Sequence, residues 1–256
     1  MKIGTPGTPE TIKVRAQLIQ AEIELDFLRQ TLRDEQSVRI ATEIENLPGV
    51  DVFIVVCNVG MRPALLRWIR EFVLLAKSLG RWTPARLCRY LRSRRLFVLS
   101  RALDDVNSTD RLRSLQCDLG LHAANVIYRE PVISAFRLGI LNAHIGILPA
   151  YRGRSVAEWS VLQGDRTGVT VFFIDSGIDT GARIVLREFI SPDAKNSVEK
   201  LKKVLFGCDA RLYRQALEAV MSSEFQCERN DTSKGRRYYV MSKMLTEVVN
   251  QILVAT

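Results

Sequence analysis

Apolar and polar positions follow two different spacings along this chain. Residues 11–47 contain neither proline nor glycine, and their apolar side chains recur at helical intervals. Pro48 and Gly49 interrupt that pattern, and the apolar run at residues 51–57 then predicts a buried strand. We therefore expect a long N-terminal helix followed by a strand. The apolar positions with helical spacing are Ile12, Val14, Leu18, Ile19, Ile23, Leu25, Leu28 and Leu32.

Short apolar runs alternate with helical segments through the middle of the chain. This alternation indicates an α/β fold with a largely parallel sheet. Further strands are predicted at residues 96–99, 118–123, 138–144, 168–174 and 183–190. Helices are predicted at residues 63–79, 84–95, 131–136, 154–163 and 197–221, with another starting near Asn107.

The same patterns divide the chain into three segments. Residues 1–50 form a predicted N-terminal helical segment, and residues 51–222 form the α/β domain. Residues 223–256 form a C-terminal extension, with a short strand at residues 236–240 and a last helix.

Positive charge is concentrated in one block. The 256 residues carry a formal net charge of +9. Residues 62–95 contain ten basic side chains and a single acid, Glu71, so the net positive charge of this block equals that of the whole chain. Two interpretations stay open: the block binds an anionic partner such as tRNA, a nucleotide diphosphate or an acidic membrane face, or it is a solvated helix face. The basic residues are Arg62, Arg67, Arg70, Lys77, Arg81, Arg86, Arg89, Arg92, Arg94 and Arg95.

The cysteine spacing and the lengths of the apolar runs argue against a disulfide-bonded, metal-binding, membrane-spanning or exported protein. Five scattered cysteines without a CxxC pair predict reduced thiols, with neither a disulfide framework nor a metal site. We see no apolar run long enough for a membrane span and no export signal at the N-terminus. We therefore expect a cytoplasmic protein.

The stretch LNAHIGILPAYRG at residues 141–153 contains one of the two histidines of the chain. Asn142 and His144 lie two residues apart at the end of a predicted strand, so both side chains can point to one side. In parallel sheets, ligands bind at this end of the strands. An amide can stabilise an oxyanion, and an imidazole can do the same or take up a proton. A hydrogen-bonded structural pair is the alternative.

A second stretch, GVTVFFIDSGIDTG at residues 168–181, places Asp175 and Asp179 in a glycine-containing loop after a strand. A carboxylate beside the imidazole can orient it or stabilise its charged form. Both acids can equally be turn residues.

The order and spacing of five short motifs resemble the folate-dependent formyltransferase family. This family includes methionyl-tRNA formyltransferase, glycinamide ribonucleotide formyltransferase and the amino-sugar N-formyltransferases. The resemblance covers residues 118–186. The motifs are Asn142-Ala-His144, Leu148-Pro149-Ala-Tyr151-Arg152-Gly153, Gly164-Asp165, Thr167-Gly168-Val169-Thr170 and Asp175-Ser-Gly177-Ile-Asp179-Thr-Gly181.

The resemblance implies a Rossmann-like, mostly parallel sheet flanked by helices, with residues 51–222 as the catalytic domain. It also implies 10-formyltetrahydrofolate as formyl donor and Asn142, His144 and Asp179 as catalytic residues. An amine would attack the formyl carbon directly, Asn142 and His144 would stabilise the oxyanion, and Asp179 would hold His144 and help move a proton. The implied folate contacts are Ile127, Tyr128, Ile174, Asp175, Gly177 and Asp179, and no metal is implied.

The chain departs from the family pattern in two places. Ile145 and Gly146 follow His144, where most members have proline and serine. The helical spacing after residue 11 suggests that the family's opening strand is altered or missing. The C-terminal segment resembles the hairpin ending of compact amino-sugar formyltransferases, so we expect a short hairpin and helix extension.

A nucleotide-linked amino sugar is the acceptor that we favour, with the basic block holding its diphosphate. The alternatives are a hydroxyornithine-type precursor, an aminoacyl-tRNA, hydrolysis of the formyl donor, or a non-catalytic member that binds an anionic partner through residues 62–95. A small-molecule amine is the expected partner. A homodimer stays open, and nucleic acid is a less favoured partner that is not excluded.

Overall fold

The computed structural model describes residues 14–21, 39–57, 96–99, 103–123, 126–191 and 197–255. Its strands are β1 (Val14–Ala21), β2 (Val50–Cys57), β3 (Leu96–Leu99), β4 (Leu119–His122), β5 (Gly139–His144), β6 (Tyr151–Gly153), β7 (Gly168–Phe173), β8 (Arg183–Phe189), β9 (Glu228–Arg229) and β10 (Arg236–Tyr238). Within the described ranges, eight of them form one sheet in the spatial order β3-β2-β1-β4-β5-β7-β8-β9. The strands from β3 to β5 are parallel, whereas β7, β8 and β9 each run antiparallel to the preceding neighbour. The remaining two strands, β6 and β10, pair with each other in parallel.

The helices are α1 (Val106–Ser114), α2 (Glu130–Ile133), α3 (Val156–Leu162), α4 (Val198–Gly207), α5 (Asp209–Met221) and α6 (Lys243–Ala255), and residues 39–44 are helical as well. The helix α5 packs on β5, β7 and β8. Its apolar residues recur on one face, as in an amphipathic helix, and they are buried. These buried residues are Ala210, Leu212, Tyr213, Ala216 and Leu217.

The strand β7 lies inside the sheet, between β5 and β8. Every residue of β7 is buried, so both of its faces are covered. The Val, Thr and Phe side chains of this strand suit such a position. The mostly parallel sheet with flanking helices confirms the predicted fold class, and the strands predicted between residues 51 and 190 are present with ends shifted by a residue or two. The helix near Asn107 begins at Val106, because the Asp105 side chain accepts a hydrogen bond from the Asn107 backbone N–H.

The prediction of a continuous helix over residues 11–47 is wrong at residues 14–21, which form β1. Residues 14–21 form a strand that pairs in parallel with β2 over its whole length and with β4 over part of it. A helix would satisfy this backbone only within itself, whereas the two neighbouring strands offer hydrogen bonds on both sides. The expectation of a missing opening strand is therefore wrong as well, because β1 lies between β2 and β4. Among the described residues before β2, only residues 39–44 are helical.

The prediction of one helix over residues 197–221 is also wrong. The segment forms α4 and α5, which meet at Cys208. The Cys208 backbone N–H donates to the Leu205 carbonyl, three residues back, so the four-residue ladder of an α-helix is interrupted there. Gly207, with its low helix propensity, precedes this junction.

The predicted C-terminal hairpin is wrong as well. The strands β9 and β10 do not pair with each other: β9 extends the main sheet beside β8, and β10 pairs with β6. Each of the two strands hydrogen-bonds to a strand from an earlier part of the chain, and the two do not form a hairpin with each other. The helix of the extension is present as α6. The division of the chain into three segments stays a prediction.

Several predictions lie outside the described residues. These are the helices at residues 63–79 and 84–95 and the basic block at residues 62–95. Among the described cysteines, Cys117, Cys208 and Cys227 form no disulfide. The described residues contain no helix with the length and apolar content needed to cross a membrane. They also contain no group of three or more histidine, cysteine, aspartate or glutamate side chains arranged to hold a metal ion.

Candidate active site

The strand β5 positions Asn142 and His144 between a parallel and an antiparallel neighbour. Asn142 pairs with Phe172 of β7, and His144 pairs with Thr170 of the same strand. Side chains two residues apart on a strand point to one side, so the predicted placement of Asn142 and His144 follows from β5 itself. His144 is the last residue of the strand and stands at the carboxyl end of the parallel part of the sheet, where ligand sites form.

The His144 imidazole is buried, with 7% of its surface exposed. Its Nε2 atom lies 2.9 Å from the Tyr151 carbonyl oxygen. A carbonyl oxygen only accepts hydrogen bonds, so Nε2 carries the proton and donates it. A Cβ atom at Gly146 would lie 2.8 Å from this Nε2 atom, so a glycine is needed here. Gly146, one of the two residues that depart from the family pattern here, thus fits against the imidazole.

Asp179 faces the other nitrogen of His144. Its Oδ1 atom lies 3.6 Å from His144 Nδ1, and its Oδ2 atom accepts the Gly153 backbone N–H at 2.9 Å. Asp179 has a left-handed backbone with a φ of 53°, which Asp tolerates better than most residues. The structure therefore brings together His144 and Asp179, the two predicted residues from separate motifs.

This pair can handle a proton and the charge that results. Nδ1 is the imidazole nitrogen left to accept a proton, because Nε2 is used by the Tyr151 carbonyl. A carboxylate on the Nδ1 side can stabilise the positive charge of the imidazole once the proton has arrived. The 3.6 Å separation exceeds a direct hydrogen bond, so the Asp179 carboxylate is not hydrogen-bonded to Nδ1.

The Asn142 side chain is partly buried. Within the part of the chain that the structure describes, no residue hydrogen-bonds to its amide. The amide is therefore available to donate to an oxygen of a bound molecule, as the sequence motif suggests.

Thr170 holds the loop that follows His144. This fully buried side chain donates to the Gly146 carbonyl at 2.7 Å and accepts the Leu148 backbone N–H at 3.1 Å. Both backbone groups belong to the loop, so one hydroxyl fixes its start. Thr170 lies in a quoted motif, but nothing in the sequence indicated this positioning role.

Asn230 fixes the loop that carries Asp179. Its side-chain amide donates to the Asp179 carbonyl at 3.3 Å and to the Gly181 carbonyl at 2.9 Å. The Asn230 backbone N–H donates to the Ala182 carbonyl at 2.9 Å. Asn230 follows β9 in the C-terminal segment, and its residue type alone carries no signal for such a role.

Tyr151 supports the site through its backbone, while its side chain belongs to an aromatic cluster. Its ring stacks on Tyr238 with centroids 5.1 Å apart, and Trp159 packs on the same Tyr238 ring. Burial and a hydrogen bond to Asp165 raise the pKa of the Tyr151 phenol. The phenol thus stays protonated near neutral pH, and only the Tyr151 carbonyl contacts the imidazole.

The predicted folate-contacting residues lie on two segments that share one apolar cluster. Tyr128 is buried, and Val126 and Ile174 pack against the same cluster. The Ile127 side chain is 75% exposed. Asp175 accepts hydrogen bonds from the Gly177 backbone N–H at 3.0 Å and the Thr180 hydroxyl at 2.7 Å, so its carboxylate shapes the turn before Asp179.

Comparison with protein families gives a match over more than half of the chain. A family model described as formyl transferase matches residues 79–217. The methionyl-tRNA formyltransferase of Flavobacterium psychrophilum is 33% identical over 153 residues, covering 55% of this chain and 48% of that protein. The methionyl-tRNA formyltransferase of Parabacteroides distasonis is 35% identical over 123 residues, covering 48% of this chain and 38% of that protein. The chain thus spans about half, or less, of the length of these relatives.

Solved structures share the fold at low sequence identity. A sugar N-formyltransferase from Shewanella sp FDAARGOS_354 has a TM-score of 0.56 and 13% identity, covering 93% of this chain and 87% of that chain. The glycinamide ribonucleotide transformylase 1 of Symbiobacterium toebii has a TM-score of 0.56 and 18% identity, covering 86% of this chain and 96% of that chain. At these identities the similarity concerns the fold alone.

Proposed function

This chain belongs to the formyl transferase family, and we propose that it transfers a formyl group from 10-formyltetrahydrofolate to a primary amine. Asn142, His144 and Asp179 are the catalytic residues of this proposal. The observation that carries it is the approach of Asp179 to His144 at the end of β5, with Asn142 two residues away on the same strand.

The folate side of the site has suitable chemistry. Val126 and Ile174 are partly buried against the apolar cluster that contains Tyr128, and the neighbouring Ile127 is 75% exposed. A flat heterocycle with polar edges binds to apolar side chains together with backbone groups, and these two segments offer both. Ile127, Tyr128, Ile174, Asp175, Gly177 and Asp179 would hold the donor. When bound, 10-formyltetrahydrofolate supplies the activated formyl group.

The protein's own groups divide the work. The Asn142 amide donates a hydrogen bond to the formyl oxygen as negative charge develops on it, an effect worth roughly 3–4 kcal/mol for a well-placed donor. His144 accepts a proton from the attacking amine at Nδ1, and the positive charge of the imidazolium then contributes to the same stabilisation. Asp179 stabilises this imidazolium, and His144 releases the proton through water to the leaving nitrogen as the bond between that nitrogen and the formyl carbon breaks. The Gly153 N–H holds the Asp179 carboxylate, and the Tyr151 carbonyl holds the His144 imidazole, so the two side chains stay opposite each other.

For the acceptor, we propose a nucleotide-linked amino sugar. A sugar N-formyltransferase shares the fold over most of this chain. The basic residues between 62 and 95 would then neutralise a diphosphate.

A second candidate acceptor is an aminoacyl-tRNA. The methionyl-tRNA formyltransferases of Flavobacterium psychrophilum and Parabacteroides distasonis are similar to about half of this chain, and the net charge of +9 suits a polyanion. A hydroxyornithine-type amine, and hydrolysis of the donor without an acceptor, are the remaining outcomes of an acceptor screen.

The first test is calorimetric titration with 5-formyltetrahydrofolate, a stable analogue of the donor, for the wild type and the Asn142→Ala variant. Micromolar binding by both proteins is expected, because Asn142 acts on the reacting oxygen. Turnover with 10-formyltetrahydrofolate is then measured against amino-sugar nucleotides, methionyl-tRNA and water. The variant should lose roughly 10²–10³-fold in kcat.

Each outcome decides part of the proposal. Turnover of an amino-sugar nucleotide supports the proposed acceptor, whereas turnover of methionyl-tRNA alone replaces it with the second candidate. Absence of folate binding by the wild type would overturn the proposed function. Salt-dependent RNA binding in that case would indicate a non-catalytic member of the family.

A further inference from the structure

The hydroxyl of Tyr213 lies between β4 and β5, at a point where the regular ladder would place a backbone hydrogen bond. The two strands pair in parallel as far as Leu121 and Leu141. The Ile174 backbone N–H donates to the Ile140 carbonyl, so even-numbered residues of β5 direct their backbone groups to the β7 side. Odd-numbered residues, including Ala143, therefore direct theirs toward β4. The next bond of this ladder would join the Ala143 N–H to the His122 carbonyl.

Tyr213 replaces that bond. The Ala143 N–H donates to the Tyr213 hydroxyl oxygen at 2.9 Å, and the hydroxyl donates to the His122 carbonyl at 2.7 Å. The two backbone groups are thus joined through two hydrogen bonds instead of one. The strands stand farther apart here than a regular ladder would hold them, directly beside Asn142 and His144.

The same hydroxyl connects the two sides of the proposed donor site. On one side it holds Ala143, which lies between Asn142 and His144. On the other side it holds His122, whose Nδ1 atom lies 3.0 Å from the Tyr128 hydroxyl and whose ring packs edge-on against Tyr128. Tyr128 belongs to the apolar cluster that would receive the donor. The carboxyl ends of neighbouring parallel strands are where α/β proteins bind ligands.

Tyr213 is suited to a fixed role of this kind. Its side chain is 1% exposed and packs in the main core, on the buried face of α5. Burial raises the pKa of the phenol well above its usual range. The hydroxyl therefore stays protonated and keeps its donor for the His122 carbonyl.

We propose that the Tyr213 hydroxyl is a positioning group that holds β4 and β5 apart and so sets where Asn142 and His144 stand relative to the segment at residues 126–128. The kinetic part of this inference rests on the proposed function. The structural part, the spacing of the two strands, does not.

The test is Tyr213→Phe, which removes the hydroxyl and keeps the ring in the core. The strands can then close, with Ala143 donating directly to His122, so folding is retained. A displacement of about 1 Å at reacting groups can cost up to 10²-fold in rate, and we expect kcat to fall roughly 10-fold or more. The Kd for 5-formyltetrahydrofolate should change by less than about threefold, because the proposed donor contacts lie on residues 126–128 and 174–179.

Tyr238→Phe is the matched control. It also removes a buried tyrosine hydroxyl, which bonds to the Gln163 and Arg236 side chains instead of to strand backbone. Its kcat should stay within about twofold of the wild type. An equal loss of kcat in both variants, or a kcat for Tyr213→Phe within about twofold of the wild type, would overturn the inference.

Crystal structures of the wild type and of Tyr213→Phe provide a readout without activity. A direct bond between the Ala143 N–H and the His122 carbonyl in the variant supports the inference. Unchanged strand spacing overturns it. If the wild type neither binds 5-formyltetrahydrofolate nor turns over, the proposed function fails, and the strand spacing still decides the role of Tyr213.

Discussion

The side-chain amide of Asn230 donates a hydrogen bond to the backbone carbonyl of Asp179, 51 residues away in the sequence. The second hydrogen of the same amide bonds the Gly181 carbonyl, so the loop around the proposed catalytic acid is held from the C-terminal segment. Asn230 is 5% exposed, and such a buried contact excludes competing water. The segment after β9 is thus a structural part of the candidate site.

Replacing Asn230 by alanine should loosen the Asp179 loop. The buried Gly181 carbonyl and the partly buried Asp179 carbonyl would lose their donor, so we expect the free energy of unfolding to fall by about 1–3 kcal/mol. We also expect kcat to fall, because Asp179 would no longer be held opposite His144. Denaturant unfolding and steady-state kinetics measure the two effects.

Asn250→Ala is the matched control for this substitution. The Asn250 side chain accepts the Val198 backbone N–H at the start of α4, so its loss also removes a bond between a side chain and the backbone. It should lower stability and leave kcat close to the wild-type value. A similar kcat for the two variants would mean that Asn230 has only a structural role.

Asp179→Asn tests the charge opposite the imidazole. Asparagine tolerates the left-handed backbone at this position, and its side-chain oxygen can still accept the Gly153 N–H. Stability should therefore change little, whereas kcat should fall roughly 10²–10⁴-fold and its pH dependence should change. The pH–rate profile of the purified variant is the measurement.

Asp231→Asn serves as the comparison for that experiment. It removes a carboxylate that caps an exposed turn through Ser233, and kcat should stay near the wild-type value. If Asp179→Asn kept both the wild-type kcat and the wild-type pH profile, Asp179 would be a turn residue only.

Gly153 is required for the close approach of β6 and β10. Its φ is +100°, and a Cβ atom would lie 2.2 Å from the Tyr238 carbonyl oxygen. Gly153→Ala should lower the free energy of unfolding by about 2–5 kcal/mol, from backbone strain and overpacking together. It should also displace the N–H that Asp179 accepts, so kcat should fall with stability.

Gly164→Ala is the control that separates backbone strain from steric overlap at Gly153. Gly164 also has a positive φ, +73°, but no heavy atom lies within 4 Å of a Cβ built there. Its cost should be limited to about 1–2 kcal/mol of backbone strain. Urea unfolding of both variants separates backbone strain from the steric contact with Tyr238. An equal loss of unfolding free energy in the two variants would contradict that contact.

The candidate site was predictable where it depends on short stretches of sequence. The two-residue period of a strand places Asn142 and His144 on one side, and the motif order suggested Asp179 as their partner. The supporting groups gave no such signal. A backbone carbonyl at Tyr151, a buried hydroxyl at Thr170 or Tyr213, and an amide at Asn230 act through contacts between distant segments, and their residue types occur in many other roles.

The helical spacing of residues 11–47 shows where local patterns mislead. The same residues that suit a helix form β1 over residues 14–21, because β2 and β4 provide parallel partners on both sides. Strand formation depends strongly on such neighbours. The long segment at residues 197–221 was misjudged for the opposite reason, since one local break at Cys208 divides an otherwise continuous helical pattern.

The sequence by itself determined the α/β class, most strands of the sheet between residues 50 and 189, and the motif residues that meet at the end of β5. The class, the strands and the shared side of Asn142 and His144 follow from periodicity and turn chemistry within a few residues, whereas the choice of Asp179 rests on the resemblance to the formyltransferase family. Only the tertiary structure decided that β1 lies between β2 and β4, that β9 and β10 join different sheets, and that Tyr213 and Asn230 hold the candidate site. The reason is that hydrogen bonds between segments far apart in the chain depend on which edges and buried faces folding brings together.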